Sequence, residues 1–253
     1  MTAGTNGRPI IGWLIAGVAL MGSTWIAASA WERVKTQPPD RAIEVTGSAK
    51  KRIVSDQIEW SASVATTNMD RTQAYRDLSG FVDTALAYLG EQQVRKEEIR
   101  VSSATIDEMF DTQYVGVGEE RVERQVFSGY RAYQTISVRS TDVARIERVS
   151  REVTQLLERG VPISSQSPAY FYTKLGELKI VMLAEASKDA RNRAENIVKA
   201  AGGAALGKLR VADMGIINVN PANATDTSWD GNNDTSSLEK DVITIVHATF
   251  ELN

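Results

Sequence analysis

The sequence predicts an α+β fold with mostly antiparallel sheets and three helices, in the order ββαββαβαββ, preceded by one N-terminal transmembrane or signal helix. Three observations carry that expectation. Stretches with a two-residue apolar period come in hairpin-like pairs, so the strands are antiparallel. Three stretches with a helical period lie between them, each closed by glycine and the first two opened by a capping residue. A run of 23 residues, Pro9 to Trp31, carries no charge at all.

That uncharged run, PIIGWLIAGVALMGSTWIAASAW, is flanked by Arg8 and by Glu32, Arg33 and Lys35. As a helix it would be about 34 Å long, enough for a hydrocarbon core of about 30 Å. Trp13, Trp25 and Trp31 stand near its ends, where amphipathic rings favour the headgroup layer. Two readings stay open. Ala28-Ser29-Ala30 has the form of a signal-peptidase site, which suits a cleaved signal peptide. The length and the tryptophans favour an uncleaved signal anchor. The expected division is a cytoplasmic N-terminus over 1–9, the anchor or signal peptide over 10–30, a linker with Pro38-Pro39 over 31–41, and an exported domain over 42–253. The partner of Ile10 to Ala30 is then the lipid bilayer. Long downstream domains translocate largely regardless of charge, so the domain is placed in the periplasm, either tethered to the inner membrane or released.

The first strands run from Ala42 to Ala49 and from Gln57 to Thr66. In the second, Ile58, Trp60, Ala62 and Val64 alternate with Glu59, Ser61 and Ser63. Asn68 or Asp70 caps a helix with the stripe Ala74, Leu78, Val82, Ala85 and Leu89, and Gly90 falls where a C′ glycine belongs. Strands over Ile99–Met109 and Val126–Val138 follow, joined by a polar loop, DTQYVGVGEERVER. A second helix opens near Asp142, carries Val143, Ile146, Val149, Val153, Leu156 and Leu157, and closes at Gly160. A strand over Val161–Thr173 is interrupted at Pro168. The third helix, about Lys174 to Ala201, has the stripe Ile180, Leu183, Ala184, Ser187, Ala190 or Arg191, Ala194, Ile197, Val198 and Ala201. Strands over Leu209–Val219 and Val242–Leu252 complete the chain.

Composition excludes several chemistries. The 253 residues include no cysteine and one histidine, His247. Disulfides, thiolate catalysis and multi-histidine metal sites are therefore excluded. The net charge of −3, with no basic run interleaved with aromatics, gives no expectation of a nucleic-acid partner. No phosphate-binding glycine loop, nucleophile elbow or zinc-protease motif is present. His247 reads as a strand histidine on the face opposite Val242, Thr244, Val246, Ala248 and Phe250. Asp189 with Arg193, and Arg191 with Glu195, are four apart and read as ion pairs on an exposed helical face.

The loop 218–240, NVNPANATDTSWDGNNDTSSLEK, reads as a flexible surface insertion. Asp226, Ser228, Asp230, Gly231, Asn232 and Asp234 match the first nine positions of a calcium loop. Position twelve is Ser237, however, and Glu239 comes two residues late. Asn223 and Asn233 stand in Asn-x-Thr sequons, relevant only in a eukaryotic secretory route. Asp107, Glu108 and Asp111 form a run of carboxylates that could do acid–base work, though such a run near a hairpin is more often solvated. No catalytic, cofactor-binding or metal-ligating residue is assigned.

Several short stretches, in order, resemble the SIMPL-domain family of exported bacterial proteins. They are Ile43-Glu44-Val45-Thr46-Gly47-Ser48-Ala49, Asp56-Gln57-Ile58-Glu59-Trp60-Ser61, Gly129-Tyr130-Arg131-Ala132 and Ile136-Ser137-Val138-Arg139. The most distinctive is Ala184 to Glu195, with Asp189-Ala190-Arg191 and Arg193-Ala194-Glu195, followed by Gly207 and Val246-His247-Ala248-Thr249-Phe250-Glu251-Leu252. The family's Gly-Glu-Gly-like turn is replaced here by Gly47-Ser48-Ala49-Lys50-Lys51-Arg52. The resemblance covers residues 42–253. It implies an α+β fold, a periplasmic location, self-association and a role in envelope or stress physiology. It carries over no catalytic residue.

The expected function is therefore a non-enzymatic envelope protein acting by self-assembly or by binding an envelope protein partner. The alternatives are a calcium- or ligand-binding module built on the 218–240 loop, and a hydrolase using the Asp107, Glu108 and Asp111 carboxylates.

Overall fold

A computed structural model describes residues 8–35, 41–116, 121–203, 205–224, 228 and 230–253, with the side chains of 8–16, 18, 19 and 33–35 left undescribed. Two antiparallel sheets are each covered by helix. The first has three strands in the order β1-β9-β8: β1 (Ala42–Val54), β8 (Leu206–Pro221) and β9 (Glu239–Leu252). The second follows the path β3-β5-β2-β6, from β2 (Gln57–Asn68), β3 (Ile99–Val101), β5 (Val122–Ser140) and β6 (Ile163–Ser165). Beside them β4 (Thr105–Val115) pairs with β5, and β7 (Ala169–Phe171) with β2. The helices are α1 (Arg8–Lys35), α2 (Arg71–Glu91), α3 (Val143–Glu152) and α4 (Leu175–Ala200). After α1 the order is thus ββαβββαββαββ. It contains the expected pattern with two strands split.

The splits have local causes. Ser102 breaks the expected strand over Ile99–Met109: its hydroxyl accepts from the Thr135 amide at 3.0 Å, while its own amide donates to the Thr135 carbonyl at 2.9 Å. Between β6 and β7, Pro168 leaves a gap, as its missing N–H requires. The expected loop DTQYVGVGEERVER is mostly strand instead. Phe110 to Val115 pair with Phe127 to Val122 beyond a bulge at Met109/Phe110, and Val117 to Glu120 lie outside the described residues. Gly90 is not the C′ residue. Gln93 takes the left-handed position at φ 61°, and Val94 N–H closes on the Leu89 carbonyl at 3.0 Å. Buried Val94 packs there as the hydrophobic member of a Schellman turn. Asp70 and Asp142 cap α2 and α3 as expected, accepting from the amides of Gln73 and Arg145.

The uncharged stretch lies within α1. Among the described residues no helix is long and apolar enough to cross a membrane. The expected linker prolines, Pro38 and Pro39, lie outside the described residues.

One core fills the space between the larger sheet and α2 and α3, with Ile58, Val64, Leu78, Leu89, Ile136, Ile146 and Leu156 fully buried. The other lies between the three-stranded sheet and α4. The stripe that α4 buries differs from the expected one. Ile180 and Ile197 are exposed, and the inward positions are Leu178, Met182, Ala186, Ala190, Ala194 and Val198. The reason is Gly47. A Cβ there would fall on the Ala186 carbonyl oxygen and the Ala190 amide nitrogen, and would stand 2.7 Å from the Ala190 Cβ. Helix and strand touch backbone to backbone, so only small residues fit the seam. Ranking positions by hydrophobicity selected the isoleucines, which is why the expected stripe was rotated. The ion pairs of Asp189 with Arg193 and Arg191 with Glu195 form at 2.8 Å each. Asp189 does more than pair along the helix, since its carboxylate also accepts from the Ser48 amide of β1 at 2.8 Å.

Gly47→Ala is therefore expected to cost about 2–4 kcal/mol by overpacking. Urea denaturation followed by circular dichroism reads this out. Gly80→Ala, whose Cβ would meet nothing within 4 Å, is the control and should be neutral or slightly stabilising.

Candidate binding surface on the three-stranded sheet

The face of this sheet away from α4 carries a cross-strand row. Thr46, His247 and Asp213 stand side by side on β1, β9 and β8. Thr46 Oγ1 and His247 Nδ1 are 3.0 Å apart. Asp213 makes no hydrogen bond to the ring, so the row is not a linked Thr-His-Asp relay. Next to it β8 leaves register between Met214 and Ile217. Gly215 sits in that irregularity, and a Cβ there would meet the Ile245 carbonyl oxygen at 2.6 Å. The result is an open cleft of about 370 Å³ with His247, Thr46 and Asp213 on one side and Met214, Ile216 and Ile245 on the other. Its volume falls in the range of small-ligand and side-chain pockets.

The rim comes from the 218–240 loop, which is not a free insertion. Asn218 is buried and accepts from the Ser228 amide at 3.1 Å. Val219 N–H donates to the Asn232 carbonyl at 2.7 Å, and Asp234 N–H to the Val219 carbonyl at 2.9 Å. Asn232 Nδ2 donates to Asn220 Oδ1 at 2.8 Å. The loop reaches the second sheet as well: the amides of Tyr170 and Ser55 donate to the Thr235 and Leu238 carbonyls.

Two ionic contacts frame this loop. Lys240, 2% exposed, donates to the Asp234 carbonyl oxygen at 2.6 Å and to its Oδ2 at 3.2 Å. Burial alone would raise the Asp234 carboxyl, but bonds from the Ser236 hydroxyl and amide, from Ser237 and from Lys240 hold it down at about 2. Asp241, 1% exposed, accepts from Arg52 Nε at 2.9 Å, Lys50 Nζ at 3.0 Å and the Asn223 amide at 2.9 Å. The Arg52 hydrogen bond, foremost, keeps its carboxyl below the ordinary carboxylate range. These contacts also explain why β1 continues past Ala49. The expected strand stops at Ala49, yet Asp241 on the paired strand holds Lys50 and Arg52 extended.

On the α4 side of β8 lies a shallower groove of about 180 Å³, lined by Leu209, Ala212, Ala248, Phe250, Ser187 and Arg191. β8 is thus an edge strand with a depression on each face.

The residues singled out in the sequence distribute as follows. His247 and the 218–240 loop meet at one cleft. Asp234, position nine of the expected calcium loop, is occupied by Lys240, and Asp226 lies outside the described residues. Among the described residues no three or more histidine, aspartate or glutamate side chains gather to hold a metal. Asp107, Glu108 and Asp111 do not enclose a cleft. All three are exposed on β4, where the neighbours Asp107 and Glu108 project from opposite faces. Sequence reasoning missed Glu98. Its carboxylate, buried at the start of β3, accepts from the Arg95 amide and guanidinium at 2.9 Å each and from Ser140 Oγ at 2.7 Å. Arg95 foremost, against burial, lowers it to about 2.

Two layers of helix and antiparallel sheet define an α+β domain. The chain matches the SIMPL family model, described as a protein of unknown function (DUF541), over residues 43–246. It belongs to the SIMPL family. No curated protein matches it.

The buried carboxylates make stability acid-sensitive. Glu98 and Asp234 have folded-state values near 2, below their ordinary 4.5 and 3.8. Their contribution is complete above those ordinary values and is lost as pH falls from there towards 2. The urea midpoint should therefore hold from pH 7 to about 5 and drop steeply between about 4.5 and 2. Lys240→Met, which leaves Asp234 buried and unpaired, should cost about 3 kcal/mol at neutral pH.

Proposed function

We propose that the chain is an envelope protein that acts by binding rather than by catalysis. In this reading α1 tethers the SIMPL domain to the inner membrane, with the domain on the periplasmic side. The observation that carries the binding reading is the β8 edge, which takes no strand partner among the described residues before the loop pairs with it at Val219, and which is flanked by a depression on each face. Extended partners are held at such edges by main-chain hydrogen bonds, with alternate side chains in the flanking pockets. The tether is supported by the uncharged run from Pro9 to Trp31 and by the exposure of Leu20, Met21, Trp25, Ile26 and Trp31 along α1. Contiguous exposed apolar groups of this size ask for a second apolar phase. Cleavage after Ala30 would release the same domain into the periplasm.

Membrane fractionation, protease treatment of spheroplasts and N-terminal sequencing test the placement together. The full chain should stay in the carbonate-washed membrane pellet, and residues 42–253 should be digested once the outer membrane is opened. A mature chain beginning at Trp31 overturns the tether. A domain protected in intact spheroplasts overturns the periplasmic side.

A further inference from the structure

The face of the larger sheet turned away from α2 and α3 carries a depression of about 330 Å³. Its position follows from strand register. Trp60 and Val138 point into the core, so Ser61, Ser137 and Arg139 beside them point outwards. Arg100 of β3 pairs with Ser137 of β5, which pairs in turn with Ser61 of β2. The three form one row across three strands, and Arg139 with Glu59 forms the next. The segment between β6 and β7 closes one side. There the Gln166 amide donates to the Ser61 carbonyl at 2.9 Å, and Ser167 follows it into the lining.

The hydrogen-bonding capacity of this depression is one-sided. Its two carboxylates are already satisfied. Glu59 accepts from Arg139 Nε at 2.7 Å, and buried Glu98 accepts from Arg95 and from Ser140. Its donors are unspent. Among the described residues the Arg100 guanidinium makes no ion pair or hydrogen bond, and the side-chain hydroxyls of Ser61, Ser137 and Ser167 make none. The charges do not cancel either. Arg145 is divided between Glu98 and Asp142, so four guanidinium groups, those of Arg95, Arg100, Arg139 and Arg145, stand against the carboxylates of Glu59, Glu98 and Asp142. The unbalanced charge is Arg100. A cation would have to displace an arginine from its carboxylate, whereas an anion displaces nothing. A carboxylate offers two oxygens in one plane. A phosphoryl group offers three strong acceptor oxygens, which suits donors arriving from β2, β3, β5 and the β6–β7 segment. Arginine forks take phosphate oxygens in pairs.

We propose that this depression is a binding site for a phosphate-bearing ligand, with Arg100 taking two phosphoryl oxygens and the hydroxyls of Ser137, Ser61 and Ser167 donating to the same group. A soluble phosphate ester and the headgroup of a phospholipid present this chemistry alike. The site shares no lining residue with the clefts beside β8. It therefore stands or falls apart from the β8 surface and from the tether.

The test is isothermal titration calorimetry on the full chain in neutral detergent. The probes are inorganic phosphate, glycerol 3-phosphate, mixed micelles containing dioctanoyl phosphatidic acid, and sodium acetate. Saturable heat is expected from the phosphate probes and none from acetate at the same concentration. Tighter binding of glycerol 3-phosphate than of the micelles identifies a soluble ester as the ligand, and the reverse order identifies a headgroup. Arg100→Gln should weaken binding about tenfold, and Ser137→Ala by a similar factor, as expected for the loss of a hydrogen bond to a charged group. Arg100→Lys keeps the charge and loses the fork, so it should fall between wild type and Arg100→Gln. Arg76→Gln, on α2 across the sheet, should bind as wild type does. Arg76, Arg100 and Ser137 are all exposed, so each variant should keep the wild-type circular dichroism. Absence of heat from every phosphate probe, equal binding of acetate, or undiminished binding by Arg100→Gln overturns the proposal.

Discussion

The backbone contact between β1 and α4 at Gly47 is the constraint on which this domain depends. Strand and helix come together where neither has a side chain larger than a methyl group, with Ala186 and Ala190 facing a residue that has none. Close packing of this kind admits little relaxation, because the atoms to be displaced are the helix backbone and the Ala190 Cβ. It also fixes what surrounds it. With α4 seated so low on the sheet, Asp189 reaches the Ser48 amide, and Arg193 can hold that carboxylate from one turn further on. The helix therefore closes one edge of the sheet as well as covering one face. The opposite strand, β8, ends the sheet and takes the 218–240 loop on its outer edge at Val219.

This contact gives a physical account of the two most distinctive stretches of the sequence. Gly47-Ser48-Ala49 and the run from Ala184 to Glu195 are far apart in the chain, yet they are the two halves of one joint. Read alone, the Asp189–Arg193 pair is a helical ion pair worth a few tenths of a kcal/mol. Its second role was illegible because it depends on the Ser48 amide, which no spacing along α4 reports. The rotated stripe of α4 has the same origin. Isoleucine is a better indicator of burial than alanine in general, but here backbone approach, not apolar area, decides which residues face inward.

Elsewhere the local signals were sufficient. The period-two alternation of β2 and β9, the Asp70 and Asp142 caps and the glycine at the end of α4 are all properties of short segments, and they survive in the structure. The misreadings fall where a distant partner overrides local composition. The expected first strand stops at Ala49, yet Lys50, Lys51 and Arg52 are strand, since Asp241 holds Lys50 and Arg52. The 218–240 loop reads as a solvated insertion, and its polar residues instead satisfy one another and two sheet edges. Asparagine, aspartate and serine mark a mobile loop when their bonds go to water, and an ordered one when they go to protein. Composition is the same in both cases.

The same distinction bears on how the candidate surface works. Lys240 and Asp241 are adjacent, both are buried, and each holds an opposite charge from a different part of the chain. Removing either partner would strand a charge in low dielectric, so Asp234 and Lys240 are held to one arrangement. That arrangement sets the rim of the His247 cleft, with Ser228 positioned through Asn218. The cleft beside β8 thus has a rim set by the ionic contacts of the loop. A rim already fixed in this way has little ordering cost left to bear, which is the condition under which even a small surface can be specific.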